Sequence, residues 1–552
     1  MGGQAKEKSD EQIHEQRKPS YLKGAAILAV TGVFVKIIGA IYKLPLFQDG
    51  VLGDEGTGDF NITYTVFTLI LAISTAGIPP ALSRLISAAN VQGNTALKKR
   101  FFSVALFAFL LIGIASMLIM FFFADAFAGL MGNTMAAPGI RVLAPAAFFA
   151  CLLAVYRGYT QGHEKMVPTA VSQIIEVISK TVFGIALALW LVYMGYELHI
   201  VSAGAIVGVT IGLGLCLPAM IWFKRKIDRG SGDDSDATEL PGRFAAFAKI
   251  MKVSIPITIS ASFMSFMVVI DNGIVVRRLQ SVLELTELEA RVQYGIFSRA
   301  LSIFNLPPSL VVPVSISIIP AIAAALAEKR ENEAGIIMQS SLKLVNLLAM
   351  PAGAGLMVLA QPILIALYND SRQLPANMLV ILGAACLFVC LQFVTTAILQ
   401  ANGHERVALL TFPIGAALRI IISFILSGNP NFGVMALPIS TLVCFAVITV
   451  LNILFMKARI KDGPKFSVVF IKPLLCTAVM AAAAFFAYRL LFWIGSYAIG
   501  TGRWAVAAYL AAAVLVGVAV YGVLIIVTRT VTIDDMKLMP KGEKIANLLR
   551  IK

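Results

Sequence analysis

Basic and acidic side chains stand inside stretches of this chain that are otherwise apolar, and their spacing limits the chemistry open to them. Lys36 lies about 12 residues into the first apolar stretch, or ~18 Å along a helix that rises about 1.5 Å per residue. Lys43 follows seven residues later on the same helical face, with Gly39 and Ala40 between them. That face is cationic and sterically open, which suits a bulky anion. Lys43 can snorkel to an interface, but Lys36 is too deep to do so easily. Glu176 and Lys180 have the i, i+4 spacing of an intrahelical ion pair, and Glu176 read functionally is a carboxylate that couples an ion or a proton. Asp271 and Arg278 are seven apart with Arg277 alongside, and Asp271 is the second coupling candidate. Arg84, Arg299 and Arg419 join Lys36, Gly39, Lys43, Arg277 and Arg278 as candidates for binding an anionic substrate. Arg489 reads as a headgroup anchor. A charge at the bilayer centre costs on the order of 2.5–3.5 kcal/mol, so such residues are retained mainly where they face water, a partner or a substrate.

These residues need apolar spans to position them, and the composition supplies them. The 552-residue chain is 59% hydrophobic and 14% charged, too apolar to cover a soluble surface with polar groups. About fourteen stretches reach the length of a membrane-crossing helix. They run near 24–47, 61–87, 101–124, 137–160, 168–193, 200–223, 247–278, 293–326, 336–360, 374–400, 406–427, 433–456, 470–494 and 504–528. Lys98-Lys99-Arg100, Lys224-Arg225-Lys226, Arg406 and Lys457 fall in alternate loops, which by the positive-inside rule puts both termini in the cytoplasm. Arg277-Arg278 break that rule at the outer end of the seventh span.

Two sequence echoes suggest a duplicated unit. Gln161-Gly162-His163-Glu164-Lys165 and Asn402-Gly403-His404-Glu405-Arg406 have glycines 241 residues apart, and the Gly77-Ile78-Pro79-Pro80 and Ile318-Ile319-Pro320 segments repeat at 240. The Gly-His-Glu corners read as tight turns, with gating as the sharper alternative. Six spans per repeat is an even number, so the halves share one orientation and their symmetry axis lies along the membrane normal. The expected architecture is an all-α polytopic membrane protein of two six-helix bundles related by a pseudo-two-fold, plus two C-terminal helices. Its parts are a cytoplasmic segment 1–23, an N-terminal bundle 24–226, a linker 227–246, a C-terminal bundle 247–460, extra helices 461–528 and a cytoplasmic tail 529–552. By position in the repeat, Arg277 and Arg278 mirror Lys36 and Lys43 across a cavity.

Several function classes are disfavoured. The net charge of +15 is accounted for by cytoplasmic loops, and no basic module with interleaved aromatics points to nucleic acid. The six cysteines lie in apolar runs without metal-ligand spacing, so packing is their expected role. No phosphate-binding loop or zinc motif is visible, which disfavours ATP hydrolysis and enzyme chemistry and leaves a carrier driven by membrane potential or a sodium or proton gradient, without a cofactor. A cation-coupled multidrug exporter would want an acidic cavity, against the excess of buried Lys and Arg. A membrane scaffold for cell-wall or spore assembly leaves the deep charges unexplained.

Residues 35–45 (Val-Lys-Ile-Ile-Gly-Ala-Ile-Tyr-Lys-Leu-Pro), Ala76-Gly77-Ile78-Pro79, Arg157-Gly158-Tyr159-Thr160-Gln161-Gly162 and 168–176 (Pro-Thr-Ala-Val-Ser-Gln-Ile-Ile-Glu) resemble the stage V sporulation protein B and MurJ-like group, oligosaccharidyl-lipid flippases of the MOP exporter superfamily. The resemblance covers spans one to twelve in order. It implies a flippase that carries an undecaprenyl-pyrophosphate-linked sugar, of the lipid II type in the MurJ branch, to the outer leaflet by alternating access. It further implies that the last two spans border a groove for the lipid tail. Lys36 matches the family's first-helix arginine, Lys43 falls one residue beyond the second, and Arg84 matches a basic residue after the Gly-Ile-Pro turn. Arg299 lies about one turn from a span-eight arginine, and Glu176 matches a span-five glutamate. The partners implied are a lipid-linked oligosaccharide, membrane lipids and cell-wall synthesis enzymes, with no nucleic acid. A pyrophosphate brings about two negative charges, which lysines meet as point charges and arginines as bidentate clamps.

Overall fold

The computed structural model describes residues 28–530, apart from 29, 40, 92, 230–239, 328–329, 461–463, 465 and 499. All regular structure among the described residues is helical, as expected for the all-α class. The first helix, α1, covers residues 30–39 and is followed by α2 (Lys43–Leu46), α3 (Gly53–Thr75), α4 (Ile78–Val91), α5 (Thr95–Phe122), α6 (Ala124–Leu130), α7 (Ala137–Gly162), α8 (Val167–Tyr193) and α9 (Leu198–Arg229). Then come α10 (Arg243–Ser281), α11 (Glu287–Phe304), α12 (Leu306–Ala327), α13 (Glu331–Val358), α14 (Ala360–Tyr368), α15 (Gln373–Ala401), α16 (Glu405–Ser427), α17 (Ala436–Arg459), α18 (Phe466–Ala498) and α19 (Arg503–Val527). Caps set several boundaries. Asn94 accepts from Leu97 N at the start of α5, and Thr286 with Glu289 forms a capping box at the start of α11.

Eleven helices among the described residues are long and apolar enough to cross a membrane, or twelve if the bent pair Glu287–Phe304 and Leu306–Val312 counts as one span. The expected fourteen is not reached. The two expected spans outside this set, 24–47 and 247–278, are the first of each repeat. The former begins outside the described residues, and the latter corresponds to α10, which is uncharged from Val253 to Ile270.

Two compact units divide the chain. One comprises residues 1–46 and Gly50–Gly273, the other Phe47–Asp49 and Ile274–Lys552. The repeat is plain in the helix starts: α5 and α13, α6 and α14, and α7 and α15 begin 236 residues apart, and α8 and α16, and α9 and α17, begin 238 apart. Equivalent helices do equivalent packing work. α7 and α15 are the most buried spans of their units, because both are sheathed by other helices and not by lipid.

The structure corrects the reading of both echoes. The first corner turns through Glu164 in the left-handed region (φ 58°), the second through Gly403 (φ 74°), and these two residues are 239 apart, close to the helix offset. Gly162 has a different job. A Cβ there would lie 2.6 Å from Ile86 Cβ and 2.9 Å from Ser83 O, so its bare face admits α4. In the second echo, Pro320 lies within α12, whereas the break after Gly77 has its counterpart at Asn305-Leu306-Pro307-Pro308, 228 residues beyond Gly77-Ile78-Pro79-Pro80.

The N-terminal unit is held at one place by backbone against backbone. Gly204, Gly208 and Gly212 repeat every four residues on α9 and face α8. A Cβ at Gly208 would lie 2.6 Å from Gly184 N and 2.7 Å from Lys180 O, and one at Gly212 would lie 2.9 Å from Glu176 O. Small residues at this spacing let apolar helices approach closely where no hydrophobic effect drives association. In the C-terminal unit, the buried Asn452 of α17 donates to Thr395 and Thr396 of α15 and accepts from Thr411 of α16.

Gly208→Ala is expected to lower stability by about 1–3 kcal/mol in thermal unfolding of the detergent-purified protein, because only backbone surrounds the added methyl. Gly204→Ala should cost less, since the nearest group there is the end of the Leu191 side chain, which can rotate away.

Candidate functional site

The α8–α9 contact fixes the backbone from Glu176 to Gly184, and the side chains of Ser172, Glu176 and Lys180 follow at four-residue intervals along α8. Arg157, near the end of α7, reaches this stripe. Its Nη2 pairs with Glu176 Oε2 at 2.9 Å and its Nε donates to Ser172 Oγ at 3.0 Å. Glu176 therefore pairs across to α7, and not along its own helix with Lys180 as the spacing suggested. A charge-assisted bond to a guanidinium that is also anchored by a serine outweighs an i, i+4 pair, which contributes only about 0.2–0.5 kcal/mol.

Lys180 has no carboxylate partner among the described residues. Its Nζ lies 5.0 Å from the centre of the Tyr42 ring and would be 3.8 Å from a Cβ on Gly39. The ammonium therefore lies beside Gly39, at a distance that an added methyl would also tolerate. Lys43 lies within electrostatic reach of Lys180, so two like charges share this corner. Lys36 is one turn before Gly39, exposed and without an ion-pair partner among the described residues. The first helix is not one continuous stripe, because Tyr42 is a turn residue and Lys43 starts α2.

The other candidates do not gather there. Arg84 is exposed on α4 with no ion-pair partner among the described residues. Asp271 is fully buried on α10, and Arg277, a little further along, is exposed. Arg278 is not an open cation. Its guanidinium carbon lies 3.9 Å from the centre of the Phe424 ring, and it packs so closely on Gly428, at the C-terminal end of α16, that a side chain there would collide with it. That seat combines a cation–π contact with the negative end of a helix. Arg419 is half-buried on α16. Arg489 is exposed and stands over Phe485.

Arg299, only 1% exposed, is held in a network of charges. Nη2 pairs with Asp49 at 2.6 Å, Nη1 lies 3.8 Å from Asp370, and Asp370 in turn pairs with Arg372. The guanidinium also lies 5.5 Å from the Tyr368 ring. Asp370 sits between the spans that end at Val358 and begin at Gln373. Burial works to raise its carboxyl pKa, but the hydrogen bonds and charge of Arg372, with the charge of Arg299, outweigh this and hold it below the usual carboxylate range. Sequence reasoning missed Asp370 and the α9 glycines, although the four-residue glycine spacing was a readable signal. It also left Arg157 and Lys180 out of the site, and an arginine facing a glutamate of the next span was the available clue.

Residues 21–326, more than half of the chain, match the family described as polysaccharide biosynthesis protein, and the chain belongs to that family. The membrane protein YabM of Bacillus subtilis (strain 168) is 27% identical over 96% of both chains. Stage V sporulation protein B of the same organism is 23% identical over 95% of this chain and 98% of its own length, and Lipid II flippase MurJ is 23% identical over 73% and 76%. Among solved structures, a lipid II flippase MurJ in an inward closed conformation superposes with a TM-score of 0.67 at 16% identity, covering 90% of this chain and 98% of that one. An inward-facing multidrug resistance MATE family transporter of the MOP superfamily gives 0.62 at 16% identity, covering 78% and 98%. The fold is the one these MurJ and MATE structures share, and the resemblance read from residues 35–45, 76–79, 157–162 and 168–176 holds.

Asp370→Asn leaves the buried Arg299 and its neighbour Arg372 with one carboxylate fewer, and should cost on the order of 3 kcal/mol at pH 7. A carboxylate with a depressed pKa contributes its stability above the ordinary value and loses it as pH falls through the lowered one. The difference in melting temperature between Asp370→Asn and the parent should therefore shrink on acidification below about pH 4, as read by thermal unfolding in detergent.

Proposed function

We propose that this protein is a flippase of the bacterial cytoplasmic membrane that moves an undecaprenyl-pyrophosphate-linked oligosaccharide, of the lipid II type, to the outer leaflet by alternating access, with both termini in the cytoplasm. The observation that carries this reading is Lys180, whose ammonium stands over Tyr42 beside Lys43 and Gly39 while the nearby carboxylate, Glu176, is engaged by Arg157. The stripe therefore holds a surplus of positive charge, which offsets the desolvation of a pyrophosphate and is hostile to a cationic drug. Two relatives, a lipid II flippase and a stage V sporulation protein, support the same class. The protein acts as a carrier, not an enzyme.

Arg157 and Glu176 supply a route to coupling. Glu176, held by Arg157, is the first candidate for coupling an ion or a proton. Asp271 is the second coupling candidate. An inside-negative potential favours outward movement of the anion by ~2.3 kcal/mol per charge per 100 mV.

In a strain depleted of its lipid II flippase, Lys180→Ala and Lys36→Ala are expected to abolish rescue while the protein still inserts, and Lys180→Arg to restore part of it. Full rescue by both alanine variants would refute the proposal. Glu176→Gln should support transport in reconstituted vesicles with its dependence on pH flattened, whereas an unchanged pH profile removes Glu176 from the coupling.

A further inference from the structure

A groove of about 880 Å³ lies on the N-terminal unit between the first half of α5 and the start of α10. It has no part in the stripe described above. At the end where both helices begin, Lys99, Arg100 and Arg243 line it. Arg100 is half-buried and Arg243 exposed, and neither has a carboxylate partner among the described residues. No carboxylate lines the groove among those residues. From Arg100 the groove follows α5 as far as Ile112, ~18 Å of helix. Beyond Ser103 its lining there is apolar, with Phe107 67% and Leu111 51% exposed, and Phe247 of α10 on the opposite wall.

We infer that this groove is a binding site for one anionic phospholipid of the surrounding membrane, its phosphate on Arg100 and Arg243 and an acyl chain along Phe107, Leu111 and Phe247. Three features select that occupant. The cations stand at one end only, as a headgroup requires. The apolar part runs along the helix axis over a length comparable to an acyl chain. Its lining residues continue the exposed apolar surface of α5, which a membrane-spanning helix presents to lipid. Basic pockets between spans at the membrane interface bind acidic lipid headgroups in the same way. A zwitterionic lipid gains less, because its own ammonium opposes the guanidinium groups.

The test is native mass spectrometry of the full chain in detergent, titrated with phosphatidylglycerol and separately with phosphatidylcholine. The parent should bind one phosphatidylglycerol at least tenfold more tightly than phosphatidylcholine. Arg100→Gln with Arg243→Gln should erase that preference, and Leu111→Trp, which keeps the charges and fills the apolar part, should weaken binding of both lipids at the site. Arg225→Gln, on the exposed side of α9, should change nothing. If the double variant does not fold, Arg243→Gln alone, at an exposed first-turn position, should lower the preference severalfold. Equal affinity for the two lipids, or a preference that survives both the charge and the plug variants, overturns the inference. Three other outcomes overturn it by naming a different occupant. These are a dimer that the same variants abolish, displacement of phosphatidylglycerol by undecaprenyl pyrophosphate at equal concentration, and a tenfold rise in lipid affinity on neutralising Asp233, Asp234, Asp236 and Glu239.

Discussion

The glycines of α9 bring its backbone directly onto that of α8, and the polar chemistry of the N-terminal unit depends on that approach. With Gly208 against Gly184 and Lys180 O, no side chain separates the helices, and α8 cannot rotate without driving one backbone into the other. The azimuth of Ser172, Glu176 and Lys180 follows from it. Arg157 can then reach two of the three from α7, and Lys180 is left for Tyr42. The contact matters the more because α8 is otherwise little buried, with 17% of its apolar window inside the protein. Lateral packing does not hold it, so the glycines must.

Basic residues are held in more than one way within each unit. In the C-terminal unit, Arg299 is surrounded by Asp49, Asp370 and Tyr368, and Arg278 is spent on packing between Phe424 and Gly428. In the N-terminal unit, Arg141 and Arg157 pair with Asp125 and Glu176, whereas Lys180 has no carboxylate partner among the described residues. Similar residues thus carry opposite meanings, and what decides between them is the neighbour. In a medium of low dielectric constant, a carboxylate within 4 Å changes the local potential far more than any feature of the cation itself.

The sequence carried the helical class, the duplication and the limits of most helices, because each leaves a local mark: apolar length, a fixed offset, a capping residue. Span boundaries such as 168–193 against Val167–Tyr193 differ by a residue. The site was less legible. Glu176 and Lys180 are spaced as a pair, and nothing local announces that Arg157 competes for the carboxylate. Asp49 and Arg299 are 250 residues apart, so their pairing leaves no pattern in the chain. The echo at Pro320 misled for a related reason. A short Ile-Pro pair recurs by composition in so apolar a chain, whereas the true counterpart of the Gly77 break preserves the two prolines and replaces glycine with Asn305.

Tyr42 offers Lys180 a seat of a particular kind. A carboxylate would hold the ammonium by cancelling it, and any arriving anion would have to evict that carboxylate first. An aromatic face attracts the same ammonium through its quadrupole and leaves the formal charge intact. Lys180 is in this sense parked and not discharged. On the function proposed above, a phosphate that reached Lys180 would find no carboxylate to displace from it.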